Sequence, residues 1–277
     1  MFFIAKKKHV CWEEDGFQNE FNLNMTIIIS PAKKLTPTNN SLGFKTSDGV
    51  FPGKVTELVN YAKSLSEKDL IDKMKISSSL AQLNFDRFQK FQDKPGLNVT
   101  TQAIYSFKGD TYVGLKAENF TKDDITFAQN NLLIISGLYG ILRPLDGIQP
   151  YRFEMGIRID YNGYKSLYDF WTDPLFEFMK KRVGSSENGI LNLASEEYSK
   201  ALNFNKLGCK VFTPKFKTKK NGELKTIGIL SKRARGMMAS YVIKNKIEDY
   251  EKICQFSDEG YVYSNKLSTS SSPVFIK

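Results

Sequence analysis

The sequence predicts an α+β fold, an irregular mixed α/β arrangement in a single compact domain. A central mixed sheet, a helical N-terminal portion and a basic cleft are expected. Three observations lead there. Short, largely apolar runs at 26–30, 132–135 and 190–193 read as buried strands. Residues 54–91 carry helical spacing instead. Strands and helices do not alternate in the regular order that a doubly wound sheet requires. With 277 residues, 41% of them hydrophobic and 13% aromatic, the chain can bury a large core.

Residues 1–24 alternate basic, acidic and polar side chains without periodicity, so they are expected to be a disordered extension, with translation starting at Met25. The domain is then 25–277. Its first strand is the run after Met25, and the turn residues of 36–53 follow. Leu58, Tyr61, Ala62 and Leu65 have helical spacing; Leu70 and Met74 continue it. After a break at Ser77–Ser79 come Leu80, Leu83, Arg87, Phe88 and Phe91, so 67–91 reads as two helices joined by a tight turn, ending at Asp93–Gly96. Thr121 caps a predicted helix over 121–130, with Asp123 and Asp124 in its first turn. Strand 132–135 leads into a glycine- and proline-rich segment. A helix at 174–183 and a strand at 190–193 come next. Residues 209–230 predict a hairpin about Asn221-Gly222. Ser231 is expected to cap the helix that follows, and two short strands, at 261–263 and 273–276, close the chain.

Composition excludes several chemistries. The only histidine is His9, which removes histidine-dependent triads and histidine-ligated metal sites from the main body. Cys11, Cys209 and Cys254 are too far apart for a metal motif or a disulfide framework, which fits a reducing cytoplasm. MFFIAKKK has its charge after its apolar residues, the reverse of a secretory signal, and no 18-residue apolar run exists. Neither metal, cofactor nor membrane contact is expected, and the sequence does not specify an oligomeric state. Net charge is +10, and it is concentrated: between Lys210 and Lys246 stand eleven basic residues and one acid, Glu223. Such a local surplus is the footprint of a polyanionic partner.

Residues 135–156, ISGLYGILRPLDGIQPYRFEMG, combine four glycines, two prolines, buried-type apolar residues and charged ones. Buried irregular backbone of this kind must satisfy its own polar groups and is often built where a ligand is handled. If the three apolar strands are neighbours, their carboxyl ends bring Lys33, Arg143, Arg152, Glu154, Asn192 and Ser195 to one cleft. Ser30, Lys108, Asp110, Ser136 and Tyr139 are further polar candidates there. Lys232, Arg233 and Arg235 are candidate phosphate ligands on the basic helix, since guanidinium forks match phosphate geometry. Helix caps and internal ion pairs are the competing explanation for the same residues.

Seven blocks in order, ISPAKKL (29–35), FKGDTYVGL (107–115), SGLYGILRPLDGIQPYRFEMG (136–156), LYDFW (167–171), NLASEEY (192–198), KRARGMM (232–238) and FSDEGY (256–261), resemble the YaaA family of bacterial peroxide-stress proteins. The resemblance implies an unusual α+β fold with a basic cleft and a helix-hairpin-helix element. It also implies a cytoplasmic protein that lowers iron-dependent peroxide damage, is associated with DNA repair, and binds DNA by shape and charge. Ile76–Asn84, ISSSLAQLN, lacks the usual hairpin glycines, so a plain helix pair is the other expectation there. The leading expectation is non-sequence-specific DNA binding, with Lys33, Lys108, Arg143, Arg152, Lys232, Arg233 and Arg235 on phosphates. The alternative is an enzyme acting on a nucleotide or nucleobase in the same cleft, because Asp110, Asp146 and Glu154 exceed what backbone binding needs. Iron sequestration by carboxylates is the weakest option, since Glu196 and Glu197 are adjacent rather than a helical turn apart.

Overall fold

A computed structural model describes residues 25–38, 42–93, 99–184 and 189–277. The expectation for residues 1–24, and most of that for 93–96, lie outside them. β1 (Met25–Ile29) is buried along its whole length, as a strand flanked on both sides must be. The short β2 (Lys34–Leu35) follows. α1 (Pro52–Ser64) starts on a proline and buries Val55, Leu58, Val59, Tyr61 and Ala62. α2 (Glu67–Met74) opens on a reciprocal capping box between Ser66 and Asp69 and ends at Lys75 in the left-handed region. α3 (Ser78–Gln89) is capped by Ser77. Its buried stripe is Ala81, Asn84 and Phe88, so Leu80 and Leu83, expected on the core face, are exposed.

β3 (Thr101–Gln102), α4 (Ala103–Ser106) and β4 (Phe107–Lys108) lead to α5 (Asp110–Leu115). α6 (Lys122–Asn131) begins at Thr121 with Asp124 completing the capping box, as its sequence predicts. β5 (Leu132–Ser136), β6 (Gly140–Leu142) and β7 (Gly147–Ile148) carry the glycine-rich segment, and β8 (Arg158–Tyr161) pairs with β9 (Tyr164–Ser166). At the β5–β6 turn Gly140 has φ +69°, and a Cβ there would lie 2.6 Å from the Trp171 ring. α7 (Leu167–Val183) starts well before Pro174, because Ser166 accepts from the Asp169 N–H and nucleates an earlier turn.

β10 (Gly189–Asn192), α8 (Glu196–Ser199) and β11 (Lys210–Phe212) follow. β12 (Lys215–Lys220) and β13 (Glu223–Lys225) form the expected hairpin about Asn221-Gly222. Residues 210–212 are not part of that hairpin; they pair with β10 in the central sheet. α9 (Gly228–Lys244) begins earlier than Ser231. Ser231 lies inside it and donates its N–H to Ile227, so it is not the cap. α10 (Tyr250–Ile253), β14 (Val262–Tyr263) and β15 (Val274–Ile276) complete the chain.

The central sheet has order β11-β10-β1-β5-β6. The first four strands are parallel and β6 is antiparallel to β5. A second sheet, β13-β12-β15-β14, carries the chain's C-terminus. The architecture is the mixed α+β one expected, built on a central mixed sheet. α5 and α9 cross in close contact, because a Cβ on Gly236 would lie 1.7 Å from the Thr111 carbonyl oxygen and one on Gly114 2.0 Å from that of Arg233. Two of the sequence blocks, 107–115 and 232–238, therefore meet as partners in packing.

Candidate functional site

β1, β5, β10 and β11 all end at one edge of the sheet. The chain passes from β1 to β5 on one side, then returns beyond β1 to β10 on the other. Crevices for ligands form outside the carboxyl ends of parallel strands at such a reversal. Ser30 follows β1 and is tied to Ser195, which follows β10. The Ser195 N–H donates to Ser30 Oγ at 2.8 Å, and Ser30 Oγ donates to Ser195 Oγ at 3.3 Å. The Tyr112 hydroxyl of α5 donates to the Ser30 carbonyl at 3.1 Å. This clip fixes how the chain leaves both strands.

Beside it lies a shallow cleft with room for about one water molecule, lined by Pro31–Lys33, Tyr151–Glu154 and Tyr198. Arg152 Nε donates to Glu154 Oε1 at 2.9 Å, and Lys33 Nζ stands 3.7 Å from the same oxygen. Lys33 is on the rim, its side chain 68% exposed, whereas that of Glu154 is 12% exposed. Glu154 Oε2 is buried and accepts no hydrogen bond from any described residue. An unsatisfied buried acceptor costs about 1–3 kcal/mol. Burial pushes the hydroxyls of Tyr112, Tyr151 and Tyr198 well above the usual phenol range. At neutral pH they act as neutral hydrogen-bonding groups, not as bases.

The family model for peroxide stress protein YaaA matches residues 25–267. The chain belongs to this family. It is 42% identical over 255 residues to a UPF0246 protein of Legionella pneumophila strain Lens, covering 91% of this chain and 99% of the relative. UPF0246 proteins of Teredinibacter turnerae and Acaryochloris marina are also 42% identical, over 91% of this chain and 99% and 100% of theirs. This family member is thereby placed among peroxide stress proteins, and the resemblance carried by the seven blocks is correct.

Ser30, Lys33, Arg152, Glu154 and Ser195 converge at the carboxyl edge. Ser136 and Tyr139 brace the segment from inside: Ser136 Oγ accepts from the N–H groups of Leu138 and Tyr139 and bonds the Tyr151 hydroxyl at 2.6 Å. The Tyr139 hydroxyl accepts from the Gln149 N–H at 2.9 Å. Asn192 closes the end of its strand, accepting from the Ala194 N–H and donating to Thr213 Oγ1. Lys108 is exposed opposite Lys34 in the β2–β4 pair, and Asp110 begins α5.

Arg143 requires a correction. β6 runs back along β5, with Leu142 opposite Ile134, so Arg143 emerges near the amino edge, away from Lys33 and Arg152. There its Nε donates to Asp146 Oδ1 at 3.1 Å and its Nη2 to the Asp48 carbonyl. On α9, Arg233 Nη2 pairs with Glu259 at 3.0 Å while its Nε is buried without a partner among the described residues. Arg235 is half-buried, and desolvation pulls its guanidinium below the usual arginine range. Lys232 is exposed. Tyr112 and Tyr198 escaped sequence reasoning as site residues; the available signal was one tyrosine in each of their blocks.

β11 ends at the same carboxyl edge, and after Thr213 and Pro214 the chain becomes β12. Phe216 of β12 is buried, so Lys215, Lys217 and Lys219 share the opposite, outward face. With Lys220 they form no salt bridge to any described residue. The hairpin's acid, Glu223, is held by Lys225 at 2.7 Å.

Proposed function

We propose that this member of the family binds DNA without sequence preference in the cytoplasm and, during peroxide stress, limits iron-dependent damage to it. The observation that carries this reading is the lysine ribbon: four uncompensated lysines on a hairpin that leaves the sheet at the same edge as the cleft. Lysines spaced two residues apart on an extended strand stand roughly 6.7 Å from one another, a regular row for a phosphate backbone. Lys33, Lys108 and Lys232, all exposed, extend the set. Arg143, Arg152 and Arg233 contribute less to phosphate binding than their number suggests, because each already has an internal carboxylate partner. No sequence is read by such contacts; they supply affinity.

The test is the salt dependence of binding to a fully paired 20-base-pair duplex, followed by fluorescence anisotropy. With about seven phosphate contacts, affinity should fall by about 10³-fold or more between 50 and 200 mM salt. Replacing Lys215, Lys217 and Lys219 by Gln should lower the logarithmic slope by about one per lysine. A flat salt dependence would contradict the reading. A second reading, an enzyme acting on a nucleotide or nucleobase, is favoured only by Glu154 Oε2, a carboxylate oxygen that backbone binding does not use.

A further inference from the structure

We infer that the β12–β13 hairpin enters the major groove of duplex DNA tip-first, with lysines on its two faces answering the phosphates of the two strands. The inference deepens the DNA-binding reading and rests on it. β15 supports the hairpin only as far as Lys219: Ile276 pairs with Lys217, and the Lys219 N–H donates to the Lys277 carbonyl at 2.8 Å. Beyond that point β12 is paired only with β13 among the described residues, and every residue from 219 to 226 is exposed. Residues directly opposite each other in an antiparallel pair share a face. Lys219 and Leu224 therefore lie with Lys217 on one face, and Lys220, Glu223 and Lys225 lie on the other. Glu223 is held by Lys225 at 2.7 Å, which leaves Lys220 as the net positive charge of that face. A strand laid along the outside of a duplex uses cations on one face. Cations on both faces suit a slot with phosphates on both walls.

The dimensions agree. The three steps from Thr218 to Asn221 carry the tip roughly 10 Å past its support, at about 3.4 Å per residue. The major groove is about 8.5 Å deep, and its width of about 12 Å admits a two-stranded ribbon. The minor groove, about 6 Å wide, has to be forced open, and proteins that do so insert apolar wedges between base steps. The tip here is Lys220-Asn221-Gly222-Glu223, with Asn221 (φ +53°) and Gly222 (φ +81°) making the turn, and it carries no such wedge. An amide and a glycine at the groove floor read little sequence, in keeping with sequence-tolerant binding. A second Asn-Gly hairpin, β8–β9, lacks these features: Ile159 is buried against the body, and Asp160 stands between Arg158 and Lys165.

Fluorescence anisotropy of the whole protein on three forms of one 20-base-pair duplex tests this. The first is unmodified. The second has its cytosines replaced by glucosylated 5-hydroxymethylcytosine, which fills the major groove. The third carries netropsin in an A·T run of its minor groove. Glucosylation should weaken binding about 10-fold or more at about 0.1 M salt, the worth of one lost phosphate contact, and netropsin should leave it unchanged. In Lys219→Gln/Lys220→Gln, where both side chains are exposed and the fold is kept, the glucosylation ratio should fall towards one. If netropsin displaces the protein and glucosylation does not, the hairpin is not in the major groove and the inference is overturned. A glucosylation penalty that persists in the double variant assigns the groove to another element and also overturns it. If neither modification matters while binding stays steeply salt-dependent, the lysines lie along the outer backbone: the inference falls and the DNA reading survives. If the unmodified duplex does not bind, both fall.

Discussion

Arg143 with Asp146 and Arg152 with Glu154 are two arginine–carboxylate pairs in one glycine- and proline-rich segment, and they do opposite things. Asp146 is sealed. Its Oδ1 accepts from Ser47 Oγ at 2.7 Å and from Arg143 Nε, its Oδ2 accepts from the Arg143 N–H at 2.8 Å, and its side chain has no exposed surface. The neighbouring backbone is closed as well, with the Ala103 N–H on the Asp146 carbonyl and the Gly147 N–H on that of Ser47. Glu154 is unsaturated: one oxygen carries both cations and the other, though buried, accepts from none of the described donors. The first pair lies at the amino edge beside Arg182, a buried guanidinium pulled down to about 10 by desolvation and then by Arg143. The second lies at the carboxyl edge. Residue type and spacing do not separate a saturated carboxylate from an unsaturated one; the folded contacts do.

The largest effect that can break this contrast is on stability. Asp146→Ala leaves Arg143 and Ser47 without their acceptor and should cost about 3 kcal/mol, as removal of one member of a buried pair does. Glu154→Ala removes an acceptor that is already half unsatisfied and should change stability by less than about 1 kcal/mol. Urea denaturation of the two variants checks both values, and equal losses would erase the distinction.

A smaller, pH-dependent effect sharpens the picture of the open edge. Tyr112, Tyr151 and Tyr198 are held neutral by burial in the folded protein, while in the unfolded chain they ionise near pH 10. Above that pH the unfolded state binds fewer protons than the folded one, so stability is fully present below about pH 10 and falls as pH rises further. Each buried tyrosine contributes up to about 1.4 kcal/mol per pH unit to that fall. Alkaline titration followed by tyrosinate absorbance should show these hydroxyls ionising only as the protein unfolds. Ionisation near pH 10 with the fold intact would mean that solvent reaches them.

Much of this was legible in the chain. The apolar runs, the Thr121 cap and the Asn221-Gly222 turn announce their elements because each depends on local chemistry. The convergence of Ser30, Lys33, Arg152, Glu154 and Ser195 follows from parallel strands ending together. Arg143 was misplaced because β6 reverses direction, and a reversal within a buried glycine-rich turn leaves no periodicity to read. Residues 210–212 were assigned to the hairpin because alternation marks a strand without naming its partner. Leu80 and Leu83 look like core residues by spacing, yet the stripe beside them, containing the small Ala81 and the self-satisfied Asn84, is the one that packs.

The most direct test is a lysine-reactivity footprint of the whole protein with and without a fully paired duplex, read by mass spectrometry. DNA bound at the carboxyl edge should protect Lys33, Lys215, Lys217, Lys219 and Lys220 and leave Lys180 and Lys181 reactive. These last two stand at the end of α7, whose Arg182 reaches the start of β1. Protection of Lys180 and Lys181 with the ribbon unprotected would contradict the account.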